Sequence, residues 1–278
     1  MFLDTLQAVP ASGAVRAALA FLLLALVATD VVLGLRQHRT FRLEIDATPA
    51  PQRESLRIAL LRRWIRLGVA SGLITLLAVV LLPGLTLADL GLRAPDLESK
   101  FGPVTSSMVA GMFFGIVVSA VAVAFLTRRV LKNSSKVALA GSEALDPMLP
   151  RTARGRWWWG GLALSAGVTE EIVYRGLAIL TLAVILPQAS GSVIVMAATV
   201  IFGLAHAYQG WAGVLVTGLS GWVLGNLYLS TSSLVIPMVL HVLIDLRVLV
   251  MRPSCEIGAE SDSGTQISST PIGKPVLS

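Results

Sequence analysis

Toward the end of the chain, three residue pairs share the spacing i, i+4: Glu171 with Arg175, Phe202 with His206, and His241 with Asp245. On a helix that spacing puts both side chains on one face. Glu170 stands five residues from Arg175, about 140° away round the helix. Glu171 and Arg175 therefore read as a local salt bridge, in the favourable Glu-first order. Glu170 is left free and shares a face with Tyr174. The chain has three histidines. His38 lies among arginines and reads as solvated, whereas His206 and His241 lie in apolar segments. A free carboxylate beside a neutral imidazole can hold a water and take its proton. A second imidazole with a polar neighbour can donate to a developing oxyanion. The set fits a glutamic-type hydrolase. Glu170 and His206 would activate water, and His241 with Asp245 would stabilise the tetrahedral intermediate. A protonated Asp245 would donate to the oxyanion, and an ionised one would instead orient His241; the spacing leaves both open.

Other chemistries fit parts of the same set. Two histidines and a carboxylate can hold zinc. The His-Glu-x-x-His spacing is absent, and the ligands would come from three separate helices. A site without a cofactor is therefore expected, with zinc as the alternative. Gly218-Leu219-Ser220-Gly221 matches the Gly-x-Ser-Gly pattern of rhomboid serine proteases, with His241 on the next apolar segment. Small residues of this kind are common wherever membrane helices pack closely. A serine route also leaves Glu170, Glu171, Arg175 and His206 without a task. Carboxylates and histidines at membrane depth mark ion or proton paths too. No two-fold repeat of broken spans supports a transporter.

The elements that must carry these residues are membrane spans. Of 278 residues 55% are apolar and only 14% charged, far below the quarter or so of a soluble domain. Apolar segments near 15–35, 66–86, 105–126, 157–187, 191–208, 211–230 and 233–251 are long enough to cross a bilayer. The fourth is long and contains Glu170, Glu171 and Arg175, so it reads as one tilted helix or two shorter ones. The fold class expected is all-α, a multi-pass transmembrane bundle of seven to eight helices. An ionised group at mid-bilayer costs about 2.5–3.5 kcal/mol, so the charged residues of the later spans must face one another or a wet cavity. The stretch 36–66 holds eight arginines, and 128–156 holds seven Lys or Arg. By the positive-inside rule this puts the N-terminus outside and the C-terminus in the cytoplasm. The segment 36–65 reads as a basic linker or an interfacial amphipathic helix. Trp157, Trp158 and Trp159 read as an aromatic interface belt. The net charge of +6 follows from the basic loops, and no basic stripe interleaved with aromatics points to nucleic acid. Cys255 is the single cysteine, so no internal disulfide forms.

Together the three motifs resemble the CPBP intramembrane endopeptidases, which include the type II CAAX prenyl endopeptidase and bacteriocin-processing, Abi-like proteins. That family carries Glu-Glu-x-x-x-Arg, here Glu170, Glu171 and Arg175 in TEEIVYRG. It carries Phe-x-x-x-His, here Phe202 and His206 in IFGLAHA. It carries His-x-x-x-Asn/Asp, here His241 and Asp245 after STSSLVIPMVL. The resemblance covers roughly 155–250. It implies a membrane endopeptidase acting near prenylated C-termini or on other membrane-associated peptides. It assigns water activation to Glu170 and His206, and the oxyanion site to His241 and Asp245. It also keeps a zinc-dependent form as an alternative, and a non-catalytic immunity-like scaffold as another. The expected organisation is residues 1–156 as N-terminal helices and basic cytoplasmic loops, 157–251 as the catalytic core, and 252–278 as a disordered tail. The expected partners are a peptide or protein substrate, lipidated or not, and the lipid bilayer. The expected location is a bacterial inner membrane.

Overall fold

A computed structural model describes residues 2–98, 111 and 145–250. The expected span at 105–126 and the tail at 252–278 lie outside the described residues, apart from the single position 111. Among the described residues every regular element is helical. After a short α1 (Phe2–Gln7), α2 (Gly13–Ala47) starts at Ser12, whose hydroxyl caps the Val15 amide. It runs for 35 residues, about 50 Å at helical rise, well beyond the roughly 30 Å of a hydrocarbon core. It stops before Pro49, because a residue preceding proline is driven into extended backbone, as Thr48 is. Then α3 (Ala50–Leu81) returns, also too long for the membrane alone.

This corrects the reading of 36–65. The arginine-rich stretch is neither a linker nor a separate interfacial helix. It consists of the ends of two spans, carried on as a helical hairpin. Arg57 is buried within it and donates to the Pro147 carbonyl and to Glu54. Glu54 in turn accepts from the Arg151 and Thr152 amides and the Thr152 hydroxyl. The hairpin thereby caps the start of the next described helix, α4 (Ala153–Glu171).

The long fourth segment is one continuous rod. α4 runs into a π-helical stretch, Ile172–Leu177, and then α5 (Ala178–Ile185). The widened turn is explicit in the Ala178 amide, which donates to Val173 five residues back. Every residue of this stretch is buried, and Leu177, Ala178, Ile179 and Leu180 form the centre of the core. α6 (Gly191–Ala205), α7 (Gly210–Thr231) and α8 (Val235–Leu246) complete the bundle. The segment that follows α3 clamps the tight α7–α8 turn. The Leu234 amide donates to the Gly91 carbonyl, and the Ser233 hydroxyl to the Arg93 carbonyl.

The helices Gly13–Ala47, Ala50–Leu81 and Ala207–Thr231 are long and apolar enough to cross a membrane; α6 and α8 are apolar but shorter. Large apolar side chains such as Phe21, Leu73 and Leu215 are exposed on the outer faces, as lipid contact requires. The tryptophan trio divides. Trp157 is exposed, but Trp159 turns inward and its Nε1–H donates to the Asp245 carbonyl at 3.2 Å. A helix face of 100° per residue cannot keep three consecutive side chains at one interface, so the belt reading fails for Trp159.

Candidate active site

Each reactive side chain is delivered by a local feature of its helix. Glu170 and Glu171 are the last residues of α4, directly before the π stretch. Arg175 is inside it, 2% exposed, and its Nη1 donates to Glu171 Oε1 at 2.7 Å. The predicted local pair is therefore present. The guanidinium also lies over the Phe202 ring, 4.2 Å from its centroid, within cation–π range.

His206 stands where α6 ends, at its C-cap. The last carbonyls of a helix have no intrahelical partner, and His206 Nδ1 donates to that of Phe202 at 3.0 Å. The His206 ring packs edge-on against Phe202, with centroids 4.6 Å apart. Phe202 thus has four tasks. It backs Arg175, Tyr174, His206 and, at 6.1 Å, His241. The room for it comes from Gly221 on α7, where an added Cβ would stand 2.9 Å from Phe202 Cδ1.

His241 comes from α8, which lies against α4 because Gly167 has no side chain. A Cβ there would stand 2.9 Å from the Val242 amide nitrogen. The closeness lets His241 Nδ1 meet Glu171 Oε1 at 2.7 Å. Glu171 is therefore more than a local partner of Arg175, since the same oxygen serves both residues.

With both Nδ1 atoms donating, both Nε2 atoms turn to Glu170. Glu170 Oε2 is 3.7 Å from His206 Nε2 and 3.8 Å from His241 Nε2. Asp245 Oδ2 is 3.8 Å from the same His241 nitrogen. These separations are too long for direct hydrogen bonds and short enough for one oxygen to touch both groups. Glu170 Oε2 is shielded from solvent and has no hydrogen-bond partner in the protein. The four predicted residues line one cavity of about 250 Å³. Among the described residues, no three His, Cys, Asp or Glu side chains are grouped closely enough to hold a metal ion.

The cavity also holds residues that sequence reasoning missed. Asp30, on α2, accepts from the Tyr174 hydroxyl at 2.6 Å. Its signal was available, as a carboxylate inside an apolar span, but no motif spacing marked it. His38 is not simply solvated; its ring lies 5.7 Å from Tyr208, which in turn is 6.0 Å from His206. Ser220 lines the cavity, yet its hydroxyl donates to the Val216 carbonyl one turn back. Around it, Gly203 and Gly218 bring α6 and α7 together, as the packing reading of the Gly-x-Ser-Gly match expects.

Residues 152–247 match a family model described as Type II CAAX prenyl endopeptidase Rce1-like. No curated protein and no solved structure gives a match to the chain. The matched stretch opens on the Thr152 cap of α4 and closes just beyond Asp245, so it spans Glu170, Glu171, Arg175, Phe202, His206 and His241. The chain is an integral membrane protein, and its residues 152–247 are similar to the Rce1-like, CPBP-type family of membrane proteases.

Proposed function

We propose that this protein is a metal-free intramembrane endopeptidase that cuts membrane-associated peptides with a water activated by Glu170 and His206. The observation that carries the reading is the convergence of the two Nε2 atoms on Glu170 Oε2 at 3.7 and 3.8 Å. His206 spends its Nδ1 proton on the Phe202 carbonyl. A neutral His206 then presents a lone pair from Nε2. Glu170 Oε2 presents another. One water that donates to both aims its own lone pair at a peptide carbonyl. Glu170 takes the proton as the water attacks and passes it to the leaving amine.

The oxyanion falls to His241 and Asp245. A proton on His241 Nε2 is aimed by the Glu171 bond at Nδ1, so orienting the ring is not left to Asp245. At 3.8 Å from Nε2, Asp245 serves better as a second donor, in its protonated form. Glu171 and Arg175 act as the scaffold. Every step is written on the chain's own residues, each of whose reacting atoms stands within 3.8 Å of another.

The family name points to a prenylated C-terminal peptide as substrate, with the lipid in the bilayer and the peptide in the cavity. The arginines of the α2–α3 hairpin support a cytoplasmic hairpin and an N-terminus on the outside. The test is purified protein in liposomes, given a farnesylated peptide and its lipid-free twin, with and without a chelator. Cleavage should prefer the lipidated peptide, survive the chelator and fall on the order of 10²-fold in His206→Ala, the cost of misplacing the water that Glu170 deprotonates. Cleavage abolished by chelator and restored by zinc would overturn the metal-free reading.

A further inference from the structure

We propose that Asp30 is a positioning residue for this site, acting through Tyr174 to hold the Phe202 platform that sets both histidines; the proposal rests on the peptidase reading. Asp30 is on α2, outside the matched residues 152–247. Its Oδ2 accepts from the Tyr174 hydroxyl at 2.6 Å, a length typical of a hydroxyl donating to an ionised carboxylate. Tyr174 is 2% exposed and sits in the π stretch one turn beyond Glu170.

The contacts lead from there to the reacting groups. The Tyr174 ring packs edge-on against Phe202, with centroids 5.2 Å apart. Phe202 backs the His206 ring, and its carbonyl fixes the Nδ1 proton of His206. Phe202 also backs Arg175, which holds Glu171, which holds His241. Every link in this path is a packed ring, a hydrogen bond or an ion pair. A carboxylate in a membrane span is costly, and Asp30 has no cationic partner among the described residues. Its carboxylate is held by the hydrogen bond from Tyr174. The bond from α2 anchors the π stretch, a rare backbone form that is frequent at functional sites, one turn beyond Glu170.

The test uses the full chain in liposomes, with Asp30→Leu, Asp30→Asn, Tyr174→Phe and the double variant Asp30→Leu/Tyr174→Phe. Misplacing a catalytic group by about an ångström can cost on the order of 10²-fold. Asp30→Leu and Tyr174→Phe should each lower kcat about 10–100-fold with KM unchanged. The double variant should be no worse than the poorer single one, since both break one bond. Asp30→Asn keeps an acceptor oxygen and should recover most of the loss. A raised KM at unchanged kcat, losses that multiply in the double variant, or a folded Tyr174→Phe at full kcat would each overturn the proposal. Histidine-ring ¹⁵N NMR of Tyr174→Phe tests the same link without turnover: shifted His206 signals support it, and unshifted ones sink it. Failure of the peptidase reading shows separately, as cleavage that survives Glu170→Ala.

Discussion

Glu171 and His241 are 70 residues apart in sequence and 2.7 Å apart in space, joined by Nδ1–H donating to Oε1. That oxygen also receives Arg175 at 2.7 Å. One carboxylate therefore neutralises a buried guanidinium and fixes the direction of an imidazole. The Glu-Glu-x-x-x-Arg and His-x-x-x-Asp motifs meet at this atom.

Glu171 is fully buried and Arg175 nearly so. Removing one partner of a buried pair leaves an uncompensated charge, at a cost of about 3–5 kcal/mol. Glu171→Ala should lower the unfolding midpoint in detergent and abolish cleavage. Glu171→Gln keeps an acceptor oxygen and should recover part of the stability. Equal midpoints for Glu171→Ala and wild type would contradict the assignment.

Gly167 should be nearly as sensitive, although it touches no substrate. A Cβ at this position would press on the Val242 backbone, and the neighbour that must give way is the helix bearing His241. Overpacking of this kind costs about 1–3 kcal/mol. Gly167→Ala should reduce kcat more than it reduces thermal stability, read by cleavage assays and melting curves on the same preparation.

Ser220 and its neighbour Gly221 separate the chemistries. The Ser220 hydroxyl is bonded to the Val216 carbonyl and has no task in the proposed mechanism. Ser220→Ala should cleave at the wild-type rate. Gly221→Ala should not, because its new methyl group would meet the Phe202 ring and approach Arg175. The reverse pattern would favour a serine nucleophile.

Periodicity made much of the site legible. The Glu171–Arg175 pair follows from a spacing of four on a helix, and it survives although Arg175 falls in a π turn. The apolar segments announced the membrane. What stayed hidden depends on contacts between helices. No local pattern tells that Glu171 reaches His241, that Trp159 turns toward Asp245, or that Tyr208 covers His38. The hairpin at 36–65 was misread because arginines looked like the mark of a loop. Arginine is also a good helix former, and a span can carry its helix past the membrane surface. Asp30 stayed hidden for another reason. A single carboxylate in an apolar run shows only a cost, and its partner Tyr174 lies 144 residues away.

In the proposed mechanism Glu170 activates the attacking water without a metal. The most direct test is the single-turnover rate of Glu170→Gln in liposomes, beside chelator-treated wild type, on a farnesylated peptide. The variant keeps the shape of Glu170 and loses its basicity. Removal of a general base should slow the chemical step about 10²–10⁴-fold, with peptide binding unchanged and the chelated wild type at full rate. Glu170→Gln turning over at the wild-type rate would contradict the account.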